Sequence, residues 1–209
     1  IEWAGVDPEN GDPLWYMDEE DENHNPTGKR VTTNDYGSAD YYYVNKSSLP
    51  KVYGGFNTSL SWKGFDLSAI FAYSIGGYIY NRDITMILHN GSLEGRDWST
   101  EILKRWTPDN RNTDVPVLST TTNNWNSAST RFLQNNSYMR LKNLTLSYNL
   151  PKQWISKLSL SSVQVYVQGD NLFTIHRNQG LDPEQGITGI TYYRYPAMRT
   201  ISGGINVSF

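Results

Sequence analysis

The sequence predicts an all-β protein whose antiparallel strands form part of a transmembrane β-barrel wall, with long extracellular loops and one short loop helix. Three observations predict it. Period-two apolar runs of about ten residues suit tilted strands crossing hydrocarbon. The connections between runs are either very short or very long, the asymmetry of a barrel with turns on one side and loops on the other. The last run alternates up to a terminal aromatic, Phe209.

In chain order, residues 1–51 are polar and are expected to be a mostly irregular extracellular loop region. Residues 52–76 read as a barrel-wall hairpin. Phe56, Thr58, Leu60 and Trp62 alternate with small polar residues, Lys63-Gly64 supplies the turn, and Phe65, Leu67, Ala69, Phe71, Tyr73 and Ile75 line one face. Residues 77–136 are expected to be a long extracellular loop holding the only helix, from about Ser99 to Trp106, with Ser99 as cap and Pro108 as stop.

Residues 137–173 carry two further wall strands. Met139 and Leu141 share one parity, whereas Leu144, Leu146, Tyr148 and Leu150 share the other, so a β-bulge is predicted around Lys142-Asn143. Pro151 ends that strand, and residues 151–159 form a short link with one helical turn near Trp154 and Ile155. Val163, Val165, Val167 and Phe173 alternate with Gln164, Gln168 and Asp170 in the next strand. Residues 174–199 are a second extracellular loop, and 200–209 the C-terminal strand, with Ile201, Gly203, Ile205, Val207 and Phe209 on one face. Traced up and down, both short links fall on the same, periplasmic side. Five strands cannot close a barrel, and lipid does not tolerate open sheet edges. With Ile1 in place of an initiator Met, the chain is expected to be part of something longer.

Composition narrows the function. Eighteen basic residues against twenty-one acidic ones leave no positive excess for a phosphate backbone, so no nucleic-acid partner is expected. The absence of cysteine excludes disulfides, cysteine-based metal sites and thiol catalysis. No apolar run approaches the eighteen residues of a membrane-spanning helix, a test that does not bear on barrel strands. There is no nucleophile elbow, P-loop or dinucleotide fingerprint, and nothing selects a catalytic carboxylate pair. The reading is non-enzymatic, with no cofactor.

Several stretches taken together resemble the C-terminal part of the SusC/RagA-type TonB-dependent transporters. They are Trp3-Ala4-Gly5-Val6-Asp7-Pro8, Gly11-Asp12-Pro13-Leu14-Trp15-Tyr16 and Pro50-Lys51-Val52-Tyr53-Gly54-Gly55-Phe56. Lys63-Gly64-Phe65-Asp66-Leu67-Ser68 and Arg105-Trp106-Thr107-Pro108-Asp109-Asn110 follow. Then come Ser137-Tyr138-Met139-Arg140-Leu141-Lys142-Asn143-Leu144 and Gly169-Asp170-Asn171-Leu172-Phe173-Thr174, with Tyr195-Pro196 leading into the closing Gly203-Gly204-Ile205-Asn206-Val207-Ser208-Phe209. The resemblance implies a large plugged barrel in the outer membrane of a Gram-negative bacterium. It implies import of oligosaccharides or peptides, a SusD-like surface lipoprotein as lid, and the TonB complex acting through an N-terminal region that is not in this sequence.

Candidate residues follow from side-chain chemistry. Ile201, Ile205, Val207 and Phe209 match the signal read by the barrel-assembly machinery, although any half-buried last strand would alternate. Trp98, Trp106, Trp125, Tyr192, Tyr193 and Tyr195 lie in the long loops, where aromatic faces could stack on substrate. The competing reading is an interfacial girdle or loop packing, which Tyr41-Tyr42-Tyr43 fits better. Asp18-Glu19-Glu20-Asp21-Glu22 could offer oxygens to calcium but lacks EF-hand spacing, so a solvated loop is the simpler reading. His24, His89 and His176 have no partner at metal-ligand spacing, and no metal site is assigned. The alternative to a transporter fragment is a soluble β-sandwich carbohydrate-binding module. In a sandwich the apolar face turns inward, whereas in a barrel it faces lipid.

Overall fold

The computed structural model describes residues 1–120, 124–178, 180–184 and 186–209. The strands are β1 (Trp3–Val6), β2 (Pro13–Glu20), β3 (Pro26–Thr33), β4 (Val52–Trp62), β5 (Phe65–Ile75), β6 (Tyr78–Asn81), β7 (Leu133–Asn135), β8 (Tyr138–Asn149), β9 (Ser162–His176), β10 (Ile190–Thr191) and β11 (Thr200–Ser208). Among the described residues, the α-helices are α1 (Arg82–Ile87) and α2 (Lys152–Ile155), both short. The chain divides into two compact units, one of Ile1–Lys46, Ile79–Gln134 and Ile190–Tyr193, the other of Ser47–Tyr78, Asn135–Gly189 and Arg194–Phe209.

The second unit holds the barrel-wall strands in one antiparallel sheet ordered β11-β9-β8-β5-β4. Its hairpin turn has both Lys63 and Gly64 at positive φ (46° and 86°), the backbone a two-residue type I′ turn requires. That turn sets the register Trp62↔Phe65, Leu60↔Leu67 and Phe56↔Phe71. The next ladders extend the same rows across the sheet: Phe65↔Tyr148↔Val165↔Ile205, and Leu67↔Leu146↔Val167↔Gly203.

The predicted bulge is present at Lys142, which no ladder pairs. Ile70↔Asn143 is followed by Phe71↔Leu141, and Asn143↔Asp170 by Leu141↔Phe173. Each strand therefore carries one residue more than its neighbour, and Phe71, Leu141 and Phe173 come level despite their mismatched parity. Pro151 ends β8 as expected. One turn of α2 and a 3₁₀ turn at Ser156–Leu158 then make the short link to β9.

Among the described residues, no second sheet covers the apolar face, and only its loop end, at Ala69 and Leu141, is buried. Leu60, Trp62, Phe65, Leu67, Leu146, Val165, Val167, Ile201 and Ile205 are all exposed. A β-sandwich module would cover this face, so that alternative is overturned. At roughly 25 cal/mol per Å² of apolar surface, leaving such a face in water would be costly, whereas hydrocarbon removes the cost.

The first unit departs in part from the expectations. Residues 1–51 are irregular over more than half their length, as expected, but they also hold a sheet the sequence reading did not foresee: β1, β2 and β3 form a three-stranded antiparallel meander. Strand signals were hidden there because β3 is exposed nearly throughout and carries almost no apolar pattern. Trp15 is buried behind it, with edge-on contacts to Trp3 and Tyr36 at 5.9 and 5.2 Å between ring centroids. The helix expected at 99–106 is a shorter 3₁₀ segment, Thr100–Lys104, with the Ser99 cap in place accepting from the Glu101 amide. The sequence reading missed α1, which Asn81 caps by accepting from the Ile84 amide. A core of Leu88, Ile102, Val115, Trp125 and Phe132 gathers these pieces.

Arg131 anchors that core from the side. It lies over the Trp3 ring at 4.7 Å and donates to the carbonyls of Trp125 and Asp114. Burial lowers its pKa to about 10, with Asp114 acting in the opposite direction.

Gly11 has φ +82°, and a Cβ there would meet the Trp106 ring at 2.7 Å, while Gly95 has φ +72° and open space around it. Gly11→Ala is expected to destabilise this unit by about 2–4 kcal/mol and Gly95→Ala by about 1, the difference being the ring clash. Limited proteolysis of the two variants at matched temperature checks the ranking.

Candidate functional site

The face of the β4–β11 sheet opposite the apolar rows is polar. Its residues bond to one another across strands. At the turn end, Ser61 and Asn149 both donate to Asp66, Gln164 donates to Asn149 at 3.1 Å, and Asn206 donates to Gln164 at 3.2 Å. This belt touches all five strands. Higher up, Asn143 donates to Asp170 at 2.8 Å and Thr145 to Asn143 at 2.9 Å. Side chains tied in this way keep a hydrogen-bonding surface in one geometry, which suits contact with a hydrated ligand.

At the loop end the same face carries a charge. Arg140 is only 4% exposed at its side chain, and it donates to Asp182, to Glu184 at 2.8 Å and to the Thr174 hydroxyl at 2.9 Å. Lys142 joins Glu184 at 2.7 Å, so two cations meet two carboxylates. Asp182 also accepts from the amides of Glu184 and Ala197. Burial alone would raise the Asp182 pKa, but the Ala197 amide, the Arg140 guanidinium and the Glu184 amide outweigh it and hold it below 3.8.

Two neutral anchors complete the attachment. Asn136 donates to the Pro183 carbonyl and accepts from buried Asn178, and Ser48 donates to the Ile187 carbonyl. The segment after β9 is thus tied to the sheet rim at several points. Beside it, a recess of about 290 Å³ has Tyr53, Ser74 and Tyr138 in its wall, three residues of one register row.

The aromatic candidates separate by burial. Trp125 is 0% exposed and Trp106 9%, the latter donating its indole N–H to the Pro8 carbonyl. Both are packing residues that offer no face to a ligand. Trp98, Tyr192 and Tyr193 are exposed and are linked through neighbouring side chains of the first unit. Arg96 donates to the Tyr193 hydroxyl at 2.8 Å, Tyr192 and Tyr193 lie 4.4 Å apart, and Arg82 covers the Tyr192 ring at 4.6 Å. Asp83 fixes the backbone beneath them by accepting from the Tyr193 amide. Tyr195 is fully exposed and belongs to the second unit.

Trp98 donates to His89 Nδ1 at 3.2 Å, and the Gly91 amide donates to the same nitrogen at 3.1 Å. His89 is therefore neutral; burial lowers its pKa, with Arg96 adding to the effect.

The remaining candidates are engaged locally or lie on open surface. Tyr42 donates to Asp18 beneath Arg30, and burial followed by that bond raises it to about 12. Tyr41 and Tyr43 are exposed. In the acidic run, Asp21 accepts from the Asn23 and Asn25 amides, Glu19 meets Thr27 and Lys29, and Glu20 meets His24. The run shapes the tip of the β2–β3 hairpin. Among the described residues, no three His, Asp or Glu side chains converge as a metal would require. His176 donates to Asn178. On β11, Ile201, Ile205 and Val207 line the apolar face, and Phe209 projects beyond the strand.

Sequence reasoning missed Arg140, Asp182 and Glu184. The available signal was Arg140 itself, a charge on the polar parity of a wall strand, which calls for a counter-charge from elsewhere.

No protein-family model matches the chain. The chain is 35% identical over 166 residues to TonB-dependent receptor P3 of Formosa agariphila, covering 74% of this chain and 16% of that protein. TonB-dependent receptor SusC of Bacteroides thetaiotaomicron is 27% identical over 198 residues, covering 93% and 19%. A solved structure of the RagAB peptide transporter superposes with a TM-score of 0.82 at 35% identity, covering all of this chain and 22% of that one. The chain thus spans about one fifth of the length of these proteins.

Arg140→Ala would leave Asp182 buried without its cation, at a cost of roughly 3–5 kcal/mol. The expected outcome is loss of hydrogen-exchange protection at the Glu184 and Ala197 amides, with the β4–β5 hairpin unaffected. Because the folded pKa of Asp182 lies below its ordinary value, the stabilisation is complete above pH 3.8 and is lost as pH falls through the lower folded value. The same two amides should therefore keep constant protection from about pH 8 to 5 and lose it below about pH 4.

Proposed function

Since this chain belongs to the TonB-dependent receptors of the SusC/RagA type, we propose that its strands form the C-terminal wall of an outer-membrane importer of oligosaccharides or peptides. The observation that carries this reading is the two-faced sheet, with uncovered apolar rows on one side and a hydrogen-bonded polar belt on the other. Such a sheet is stable where one face meets lipid and the other an aqueous lumen. The free outer edges of β4 and β11 are to be paired by the rest of the barrel.

In this reading a SusD-like lipoprotein closes the barrel from outside, and the TonB complex supplies energy through the N-terminal part of the protein. The role is transport, not catalysis. Trp98, Tyr192, Tyr193 and Tyr195 present exposed rings to the substrate or the lid, while Trp106 and Trp125 support the loop that carries Trp98. Ile201, Ile205, Val207 and Phe209 serve barrel assembly, by strand addition at an open edge.

The test uses the full-length protein in outer-membrane fractions. Heat-modifiable gel migration is expected for the intact form and should be largely lost on deletion of Phe209; a water-soluble parent protein would sink the reading. Trp98→Ala/Tyr193→Ala is expected to keep heat-modifiable migration and slow uptake of the growth substrate at least fivefold, about 1 kcal/mol of binding. Growth on oligosaccharide or on peptide as sole source identifies the cargo.

A further inference from the structure

A cavity of about 510 Å³ in the second unit lies between the end of β9, the 180–183 segment and the 194–199 segment leading into β11. Its size falls in the range of small-ligand pockets, roughly 300–1,000 Å³. Arg140 and Thr174 reach it from the polar face of the sheet, and Phe173 and Pro196 add apolar wall.

The charge on this wall is unbalanced. Arg140 and Lys142 are matched by Asp182 and Glu184, and Asp182 is further occupied by two amides. That quartet is neutral as a group. Arg194 and Arg199, on the outer wall, are exposed and make no ion pair or hydrogen bond among the described residues. Two guanidinium groups around one cavity, beside an ion-pair network with no spare carboxylate, make an anion trap.

We infer that this cavity is a subsite for a carboxylate of the imported oligomer, taken by Arg194 and Arg199. The inference rests on the importer reading. Arginine suits the task because its planar fork meets both carboxylate oxygens at once, and it keeps its charge at any physiological pH. Asp182 is already engaged by Arg140 and by the Glu184 and Ala197 amides, so its charge is matched within the quartet. The carboxylate belongs either to a uronic acid or to an acidic or C-terminal peptide residue, since both present the same planar anion.

The test measures binding to the full-length protein in detergent with four probes: trigalacturonate and its methyl ester, triglutamate and triglutamine. One acidic probe is expected to bind at least about tenfold more tightly than its neutral counterpart, a difference of about 1.4 kcal/mol. That preference should shrink as salt rises. Which acidic probe is preferred tells sugar from peptide. Arg194→Gln/Arg199→Gln should abolish the preference, and Arg194→Lys/Arg199→Lys should retain part of it, because charge survives without the fork.

Equal binding of acidic and neutral probes, or no binding of either acidic probe, overturns the inference. So does a preference that survives the double glutamine variant. Loss of co-purified lipopolysaccharide phosphate from that variant, with the probe preference unchanged, would reassign the arginines to lipid. Should the glutamine variant fail to show heat-modifiable migration, the salt dependence of the unmodified protein decides instead. A folded barrel that binds neutral probes without preference sinks only this subsite, whereas absence from the outer membrane sinks the importer reading itself.

Discussion

Because side chains alternate along a strand, a slip of one residue between β4 and β11 would send Leu60, Leu67, Leu146 and Val167 to the polar side, and Asn149 and Gln164 to the apolar side. Register is therefore the constraint on which both faces depend, and it is set by local chemistry. The Lys63-Gly64 turn adopts positive φ at both positions and closes the first ladder. The extra residues at Lys142 and in Asn171-Leu172 then absorb a mismatch that would otherwise flip the upper halves of β8 and β9. Glycine contributes where space is shortest: a Cβ at Gly204 would meet the Tyr166 hydroxyl at 2.7 Å and its ring at 2.8 Å, so glycine leaves room for that side chain across β11.

The same register delivers Arg140 to the polar face, where it would be costly without counter-charges. Asp182 and Glu184 come from a segment some forty residues later. The ion pair ties a loop to a wall strand, and strand position and loop position become one problem. The connection after β9 is long, yet it is held at Asn136, Ser48, Arg140 and Lys142. A loop with that many anchors presents a defined surface above the polar belt.

In the first unit, hydrophobic packing sets the geometry. Trp15, Trp125 and Phe132 are buried within a stretch whose sequence reads as polar loop. The aromatic residues of such loops have two uses that composition cannot separate. Trp106 sits against Gly11 and bonds the Pro8 carbonyl, whereas Trp98, at a similar distance along the same loop, leaves part of its ring exposed beside His89. Only the fold sorts them into core and surface.

The sequence by itself determined the five wall strands, the Lys63-Gly64 turn, the bulge at Lys142 and the stop at Pro151. These are consequences of alternation, turn conformation and proline geometry, which act over a few residues. The tertiary structure alone decided that residues 1–51 contain a sheet, that α1 follows β6, that Trp106 and Trp125 are buried, and that Arg140 meets Asp182 and Glu184. Each of these depends on pairing or burial between residues far apart in the chain. The polar alternation of β3 and the isolated charge of Arg140 carry no local mark of the partner that gives them meaning.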